Sequence, residues 1–122
     1  MTEMPTALQT YLRMWNERDV ARAHELLAEA VTDDIVFADP HDFHEGRAEM
    51  ERNVERFRRR FPTATLSLAS GVDGQNDRYR YAWEIHVDRE LLIEGFDVST
   101  LAADGRIERV DGFFGPLPAL AE

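Results

Sequence analysis

The first half of the chain holds three stretches in which apolar residues recur every three or four positions, the period of one helix face. They predict helices over residues 5–18, 19–30 and 47–61, and Pro62 ends the third. Pro5 suits the first turn of a helix, and Asp19 suits an N-cap. The apolar positions of the three stripes are Leu8, Tyr11, Leu12, Trp15, Ala23, Leu26, Leu27, Ala30, Met50, Val54, Phe57 and Phe61.

Short apolar runs bounded by turn residues predict the β-strands. Ile35–Ala38 is a short strand that follows a break at Thr32–Asp34 and stops at Asp39-Pro40, and residues 41–46 are expected to form a loop. The second half of the chain contains four longer candidate strands. These are Thr63–Val72, Arg78–Val87, Leu91–Ala102 and Ile107–Phe114.

Three polar segments separate the four longer strands and predict turns. They are Asp73-Gly74 with Gln75-Asn76-Asp77, Asp88-Arg89 and Asp104-Gly105, and a glycine beside an aspartate is a strong hairpin signal. Helices followed by an antiparallel meander indicate the α+β class. We therefore predict a cone in which three N-terminal helices pack against a curved antiparallel sheet, as one domain over residues 1–122.

One position in the third of these strands does not fit an ordinary core. Side chains alternate along a strand, so Gly95, Asp97, Ser99 and Leu101 share one face. Asp97 stands between Phe96 and Val98, on the face that continues as Leu101. A buried carboxyl must be hydrogen-bonded, paired or kept neutral by a raised pKa. We expect a raised pKa for Asp97 and a smaller perturbation for Asp39, which lies at a strand end.

Composition excludes several classes of function. The formal net charge of −10 argues against nucleic acid or an anionic membrane as a partner. The absence of cysteine excludes disulfides, thiolate catalysis and cysteine-based metal sites. The acidic N-terminus has no apolar signal region and no apolar run approaches membrane-spanning length, so a cytoplasmic protein is expected.

Three polar side chains stand in apolar surroundings: Tyr11 on the first helix, Asp39 at a strand end and Asp97 in mid-strand. The hydroxyl of a buried Tyr11 needs a partner. Asp39 could instead form an Asx turn before Pro40, and Asp97 could be a structural acid bonded to backbone N–H groups. Together they would suit proton transfer, because different surroundings separate carboxyl pKa values.

A sheet that cups three helices leaves space for a cavity. The residues available to line it are aromatic, and each taken alone is equally suited to an ordinary core. They are Trp15, Phe37, Phe57, Trp83 and Phe114.

The remaining histidines and arginines favour ordinary surface roles. His41, Asp42, His44 and Glu45 are ligand types, but their spacing within one short loop favours a solvated pocket rim over a metal site. His24 is expected on a helix surface, and His86 on the surface or at an interface. The arginines at 56, 58, 59 and 60 are expected on a solvated helix face, paired with Glu51 and Glu55.

Taken in order, several short segments resemble the SnoaL-like members of the nuclear transport factor two superfamily, whose fold is a cystatin-like cone. The resemblance covers residues 11–114. Its segments are Tyr11–Asp19, Thr32–Asp34 leading to Asp39-Pro40, Phe61-Pro62, Gly95–Asp97, Asp104–Ile107 and Gly112–Gly115.

Within that superfamily the ketosteroid isomerases offer a match at single residues. The match implies that Asp39 carries the proton, while Tyr11 and protonated Asp97 donate hydrogen bonds to an enolate oxygen. A gapless match would turn Arg80 and Glu84 toward the pocket, whereas the alternation from Tyr79 to Val87 buries the opposite face. A one-residue difference in the hairpin near Arg89 would resolve this conflict.

The resemblance and the residues together predict a small-molecule enzyme performing acid/base chemistry on an apolar carbonyl ligand. Isomerase-like proton transfer is the most concrete version, with no metal or other cofactor. Hydrolase or polyketide-cyclase chemistry, in which a pocket aspartate activates water, is an alternative. A non-catalytic binding or dimerisation module is another, and a closed core around Asp97 would favour it. The superfamily also implies a homodimer through the outer sheet face, where Arg80, Glu84 and His86 could form charged pairs.

Overall fold

The computed structural model describes residues 3–121, which form three helices and seven strands. The helices are α1 (Thr6–Asn16), α2 (Val20–Ala30) and α3 (Arg47–Arg60). The strands are β1 (Val31–Ala38), β2 (Phe43–Glu45), β3 (Thr65–Leu68), β4 (Asp73–Gln75), β5 (Arg78–Val87), β6 (Glu90–Leu101) and β7 (Ile107–Phe114).

All seven strands belong to one sheet, whose main order is β2-β1-β7-β6-β5-β3, with β4 also paired to β5. The three helices pack on one face of this curved, unclosed sheet, so the predicted α+β cone is confirmed. The sheet is not a simple meander, however, because β1 runs parallel to its neighbour β7. The parallel pairing places the chain's first strand beside its last, with only β2 between β1 and that edge of the sheet.

The second helix follows its sequence pattern closely. The side chain of Asp19 caps it by accepting hydrogen bonds from the backbone N–H groups of Ala21 and Arg22, at 3.0 and 3.3 Å. Its buried residues are the four that were predicted, Ala23, Leu26, Leu27 and Ala30. The buried face of α1 is turned slightly from its prediction. It contains Leu8, Thr10, Tyr11 and Met14, while Leu12 and Trp15 are half-buried.

The predictions around the first strand were wrong in two places. The first strand starts earlier than expected, because Thr32–Asp34, which were predicted only to end the second helix, belong to β1, and β1 begins at Val31. The register with β7 shifts between Val31 and Val36, and this irregularity keeps two aspartates exposed within a continuing strand. The expected loop at residues 41–46 contains β2, whose Phe43 pairs with Ala38.

The segment between the third helix and β5 also differs from its prediction. Only Thr65–Leu68 of the expected strand Thr63–Val72 is a strand. The predicted connection over residues 73–77 is only partly a turn, because Asp73–Gln75 form β4, in which Asp73 and Gly74 pair with Arg80 and Tyr79. The chain reverses at Asn76, inside that connection, and this residue takes a left-handed conformation with φ of 52°. Asparagine tolerates this conformation better than most residues.

The hairpin of β5 and β6 decides which side chains point inward. Its register shifts by one residue between Ile85 and His86, next to the turn at Asp88 and Arg89. Tyr81 and Trp83 are consequently buried, while Arg80 is exposed on the outer face. The alternation of residues from Tyr79 to Val87 therefore predicted the inward face of β5 correctly, whereas the gapless match to the ketosteroid isomerases did not.

The arginines of α3 were expected on a solvated helix face, but one of them is buried. Arg58 is only 7% exposed. Its guanidinium donates hydrogen bonds to the carbonyls of Trp15, Ala64 and Pro62 at 2.7, 3.0 and 3.2 Å. These carbonyls come from the end of α1 and the chain after α3, so one buried cation joins two segments. A repeating arginine pattern does not reveal such partners.

Candidate active site

A cavity of about 670 Å³ lies between the helices and the inner face of the sheet. The structure brings all eight site residues predicted from the sequence to its walls. They are Tyr11, Asp39 and Asp97, with the aromatic residues Trp15, Phe37, Phe57, Trp83 and Phe114. The volume lies within the range of about 300–1,000 Å³ typical of small-molecule pockets.

Asp97 is held by side chains of the neighbouring strand. Its Oδ1 accepts a hydrogen bond of 2.9 Å from Trp83 Nε1, and its Oδ2 accepts one of 3.3 Å from the Tyr81 hydroxyl. Burial raises the pKa of Asp97 to about 6, although both hydrogen bonds act to lower it. The nearby charges of Asp39 and Asp111 raise it further. The carboxyl is therefore poised to exchange a proton near neutral pH.

Two glycines give Asp97 and Trp83 the room for this arrangement. A Cβ atom at Gly112 would lie 2.8 Å from Asp97 Oδ1 and 3.4 Å from the Cβ of Asp39. A Cβ atom at Gly95 would lie 2.8 Å from the Trp83 ring. Because Gly112 has no side chain, Asp39 and Asp97 can both lie close to its backbone, and both aspartates line the same cavity.

Asp39 forms the Asx turn that was weighed against a functional role. Its Oδ1 accepts hydrogen bonds from the backbone N–H groups of His41 and Asp42, at 2.9 and 2.8 Å. The carboxylate is half-buried and still lines the cavity. The turn therefore orients the group without removing it from the site.

Tyr11 presents a different situation. It is 1% exposed, and its hydroxyl has no hydrogen-bond partner among residues 3–121. Burial is the main reason that the pKa of Tyr11 lies far above its usual value, and the charge of Asp97 adds to the effect. A buried tyrosine hydroxyl normally has a partner. Here the hydroxyl is a neutral donor without a partner, on a residue that lines the cavity.

The aromatic walls make most of the cavity apolar. Trp15 meets both Tyr11 and Phe57 edge-to-face, with ring centroids 6.2 and 5.4 Å apart. Trp83 meets Phe114 in the same way at 6.0 Å. These contacts keep the rings in place. Apolar and aromatic walls of this kind are typical of small-molecule sites.

Sequence reasoning missed several residues of the site. Tyr81 holds Asp97, and its hydroxyl also lies 3.2 Å from Ser99 Oγ. Strand alternation had placed Tyr81 inward, but only the cross-strand register shows its partner. Asn53, Arg56 and Arg60 also line the cavity from α3. Their spacing puts them on one helix face, but the arginine-rich context obscured it.

The histidines take packing positions. His44 stacks on Phe37, with ring centroids 6.1 Å apart, and His41 meets Phe114 edge-on at 5.0 Å. His24 is not a free surface residue, because its ring lies between Glu51 and Glu55 of α3. The described residues hold no group of three or more histidine and acidic side chains arranged to bind a metal ion.

The helices in the described part of the chain are all too short or too polar to cross a membrane.

The molecule consists of a cone of helices and sheet around an apolar cavity that is lined by two aspartates and a tyrosine. This combination defines the molecule as an α+β cone that encloses a mostly apolar cavity.

Comparison with known proteins gives the family. The pattern that defines the SnoaL-like domain matches residues 8–110, and the chain belongs to this family. A proposed isomerase of the SnoaL-like family from Agrobacterium tumefaciens is 33% identical, with a TM-score of 0.85, over 91% of this chain and 96% of that one. No curated protein matches the sequence.

More distant structures share the fold alone. A candidate polyketide cyclase from Sinorhizobium meliloti is 15% identical, with a TM-score of 0.73, over 89% of this chain and 94% of that one. A protein with a cystatin-like fold from Silicibacter pomeroyi is 16% identical, with a TM-score of 0.69, over 93% and 76% of the two chains. The expected cystatin-like, SnoaL-like architecture is confirmed, whereas the isomerase-like residue roles stay a prediction.

Proposed function

We propose that this protein is an enzyme that moves a proton on an apolar carbonyl compound, in the manner of a ketosteroid isomerase. The observation that carries the proposal is the unpartnered, buried hydroxyl of Tyr11 in the cavity that also contains Asp39 and Asp97. A substrate carbonyl oxygen would supply the partner that this donor lacks. The similar Agrobacterium protein, itself a proposed isomerase, adds support.

In the proposed reaction Asp39 removes a proton from the carbon beside the carbonyl group. Negative charge then develops on the carbonyl oxygen, where Tyr11 and protonated Asp97 donate hydrogen bonds. Asp39 returns the proton to a second carbon, and the product is a conjugated ketone. Backbone N–H groups already hold one oxygen of Asp39, so its position changes little between the two transfers.

The test is isomerisation of a β,γ-unsaturated cyclic ketone, followed by the absorbance of the conjugated product. Asp39→Asn is expected to abolish turnover, because the amide cannot accept the proton. Tyr11→Phe should lower kcat by about 100- to 1,000-fold, as the loss of one oxyanion donor does, and Asp97→Asn should lower it less, because an amide can still donate one hydrogen bond to the oxygen. Exposed Asp104 provides the control, and Asp104→Asn should keep the wild-type rate. An inactive wild type, or full activity in Asp39→Asn, would reject the proposal.

One observation favours the second candidate, water activation by a pocket aspartate in a hydrolase or cyclase. A pKa of about 6 leaves most Asp97 carboxyls ionised at pH 7, so Asp97 could act as a base. The pH dependence distinguishes the roles. As a donor, Asp97 makes kcat fall as pH rises through about 6, and as a base it makes kcat rise there. Asp97→Asn should remove the observed change of kcat with pH near pH 6, whichever its direction.

The third alternative, a non-catalytic module, was tied to a closed core around Asp97. An open cavity of about 670 Å³ beside that residue favours ligand binding over a filled core. Binding can be measured directly, because Trp15 and Trp83 both line the cavity. A screen of carbonyl compounds by tryptophan fluorescence should find ligands that change the emission of the wild-type protein.

We also propose that the protein forms a homodimer through the outer face of its sheet. Phe96 and Phe113 stack there with ring centroids 5.3 Å apart, and Phe113 is 54% exposed. Phe43, on the same face, is 58% exposed. A second copy would cover these rings. Light scattering should give twice 14.1 kDa for the wild type and a monomer for Phe113→Glu, with exposed Leu117→Glu as the control. A wild-type particle of 14.1 kDa would contradict this.

A further inference from the structure

We infer that the ligand of this cavity carries a carboxylate, which is held by Arg56 and Arg60. Both arginines line the cavity and are exposed, whereas Tyr11 and Asp97, which line it as well, are buried. The cavity therefore runs from a buried acid/base end to an opening with two cations. The inference rests on the proposed function only in that the cavity binds a small molecule.

The guanidinium groups of Arg56 and Arg60 form no ion pair with a carboxylate of residues 3–121, although six other arginines do. Asp39 and Asp42 line the same cavity, but their carboxylates lie beyond ion-pair distance of both arginines, and the Arg60 guanidinium packs over the Phe61 ring with 5.4 Å to its centroid. The acidic residues of the same helix, Glu51 and Glu55, face His24 of α2 instead, at 3.7 and 3.1 Å. The helix thus directs its acids toward α2 and leaves Arg56 and Arg60 available at the cavity.

The spacing of the two arginines suits a single anion. Residues four apart lie on the same face of a helix, where two like charges repel each other. An anion between them would relieve that repulsion, and the planar guanidinium group binds carboxylates through paired hydrogen bonds. Asn53, three residues before Arg56, adds a further donor on the cavity wall.

The overall charge makes this site unusual. A chain with a formal net charge of −10 repels anions at long range. The attraction between Arg56, Arg60 and an anion at the opening must therefore exceed the long-range repulsion from the net negative charge of the protein. The apolar walls formed by Trp15 and Phe57 lie beside the arginines, so the expected ligand has an apolar body between its carboxylate and its reacting carbonyl group.

The test compares two probes of nearly equal shape by isothermal titration calorimetry at low ionic strength: naphthylacetic acid and naphthylacetamide. Wild type should bind the acid about tenfold more tightly than the neutral amide, as expected for a charge-assisted pair. The variant Arg56→Gln/Arg60→Gln should lose this preference and keep its affinity for the amide. The control Arg52→Gln/Arg59→Gln removes the same charge from exposed positions of the same helix that do not line the cavity, and should keep the preference.

Several results would overturn the inference. They are equal binding of the two probes by wild type, a preference that survives in Arg56→Gln/Arg60→Gln, an equal loss in the control, and no binding of either probe. Turnover of a neutral ketone would leave the proposed function standing in each case. Conversely, an acid preference in a protein without isomerase activity would support this ligand class and reject the isomerase reaction.

Discussion

Replacing Asp97 by asparagine should stabilise the protein at neutral pH while it lowers activity. The pKa of Asp97 rises from 3.8 in the unfolded chain to about 6 in the folded protein, mainly through burial. As pH rises, the unfolded chain therefore loses this proton first, and ionisation favours unfolding. The contribution of protonated Asp97 to the free energy of unfolding is fully present below about pH 4. It decreases as pH rises and is lost above about pH 6.

The magnitude follows from the two pKa values. A tenfold difference in proton affinity is worth about 1.4 kcal/mol, so the rise from 3.8 to about 6 corresponds to about 3 kcal/mol. The asparagine does not titrate, and its amide oxygen can still accept the hydrogen bond from Trp83. The variant should consequently gain up to about 3 kcal/mol relative to wild type between pH 4 and pH 7.

Urea unfolding at several pH values, followed by circular dichroism, measures this difference. Subtracting the free energy of unfolding of the wild type from that of the variant at each pH cancels the contribution of every titrating group that the two proteins share. Asp104→Asn is the matched control, because hydrogen bonds from the backbone and side chain of Arg106 lower the pKa of Asp104. The stabilisation from ionised Asp104 is present at neutral pH and is lost in acid. The free energy of unfolding of Asp104→Asn relative to wild type should therefore fall as pH rises, whereas that of Asp97→Asn should increase. A difference between Asp97→Asn and wild type that is independent of pH would refute the reasoning.

Three further substitutions test the supports of the site. Trp83→Phe removes the 2.9 Å hydrogen bond to Asp97 and should raise the pKa of Asp97 by about 1–2, measured by carboxyl NMR titration; an unchanged pKa would contradict this. Arg58→Met leaves buried carbonyls without a donor and should cost about 2–4 kcal/mol in urea unfolding, whereas exposed Arg59→Met should cost little. Gly112→Ala forces a Cβ atom within 2.8 Å of Asp97 and should cost about 1–3 kcal/mol and alter tryptophan emission; wild-type values for both would be evidence against the close approach.

Short-range patterns in the sequence were sufficient for much of the framework. The period of 3.6 identified the buried face of α2, and the alternation of β6 turned Asp97 inward. Asp104-Gly105 marked the reversal between β6 and β7, where Gly105 takes a φ of 90°. Each of these features depends on neighbours within a few positions along the chain, so local residue types determine them.

Long-range pairing decided the rest. The partners of Asp97 are Trp83 and Tyr81, which reach it only because the β5–β6 register shifts by one residue near the hairpin. Arg58 is buried because carbonyls from α1 and from the chain after α3 converge on it. The parallel pairing of β1 with β7 joins strands far apart in sequence. Such contacts depend on register and packing, which no short window of residues encodes, because each is settled only when the distant segments meet.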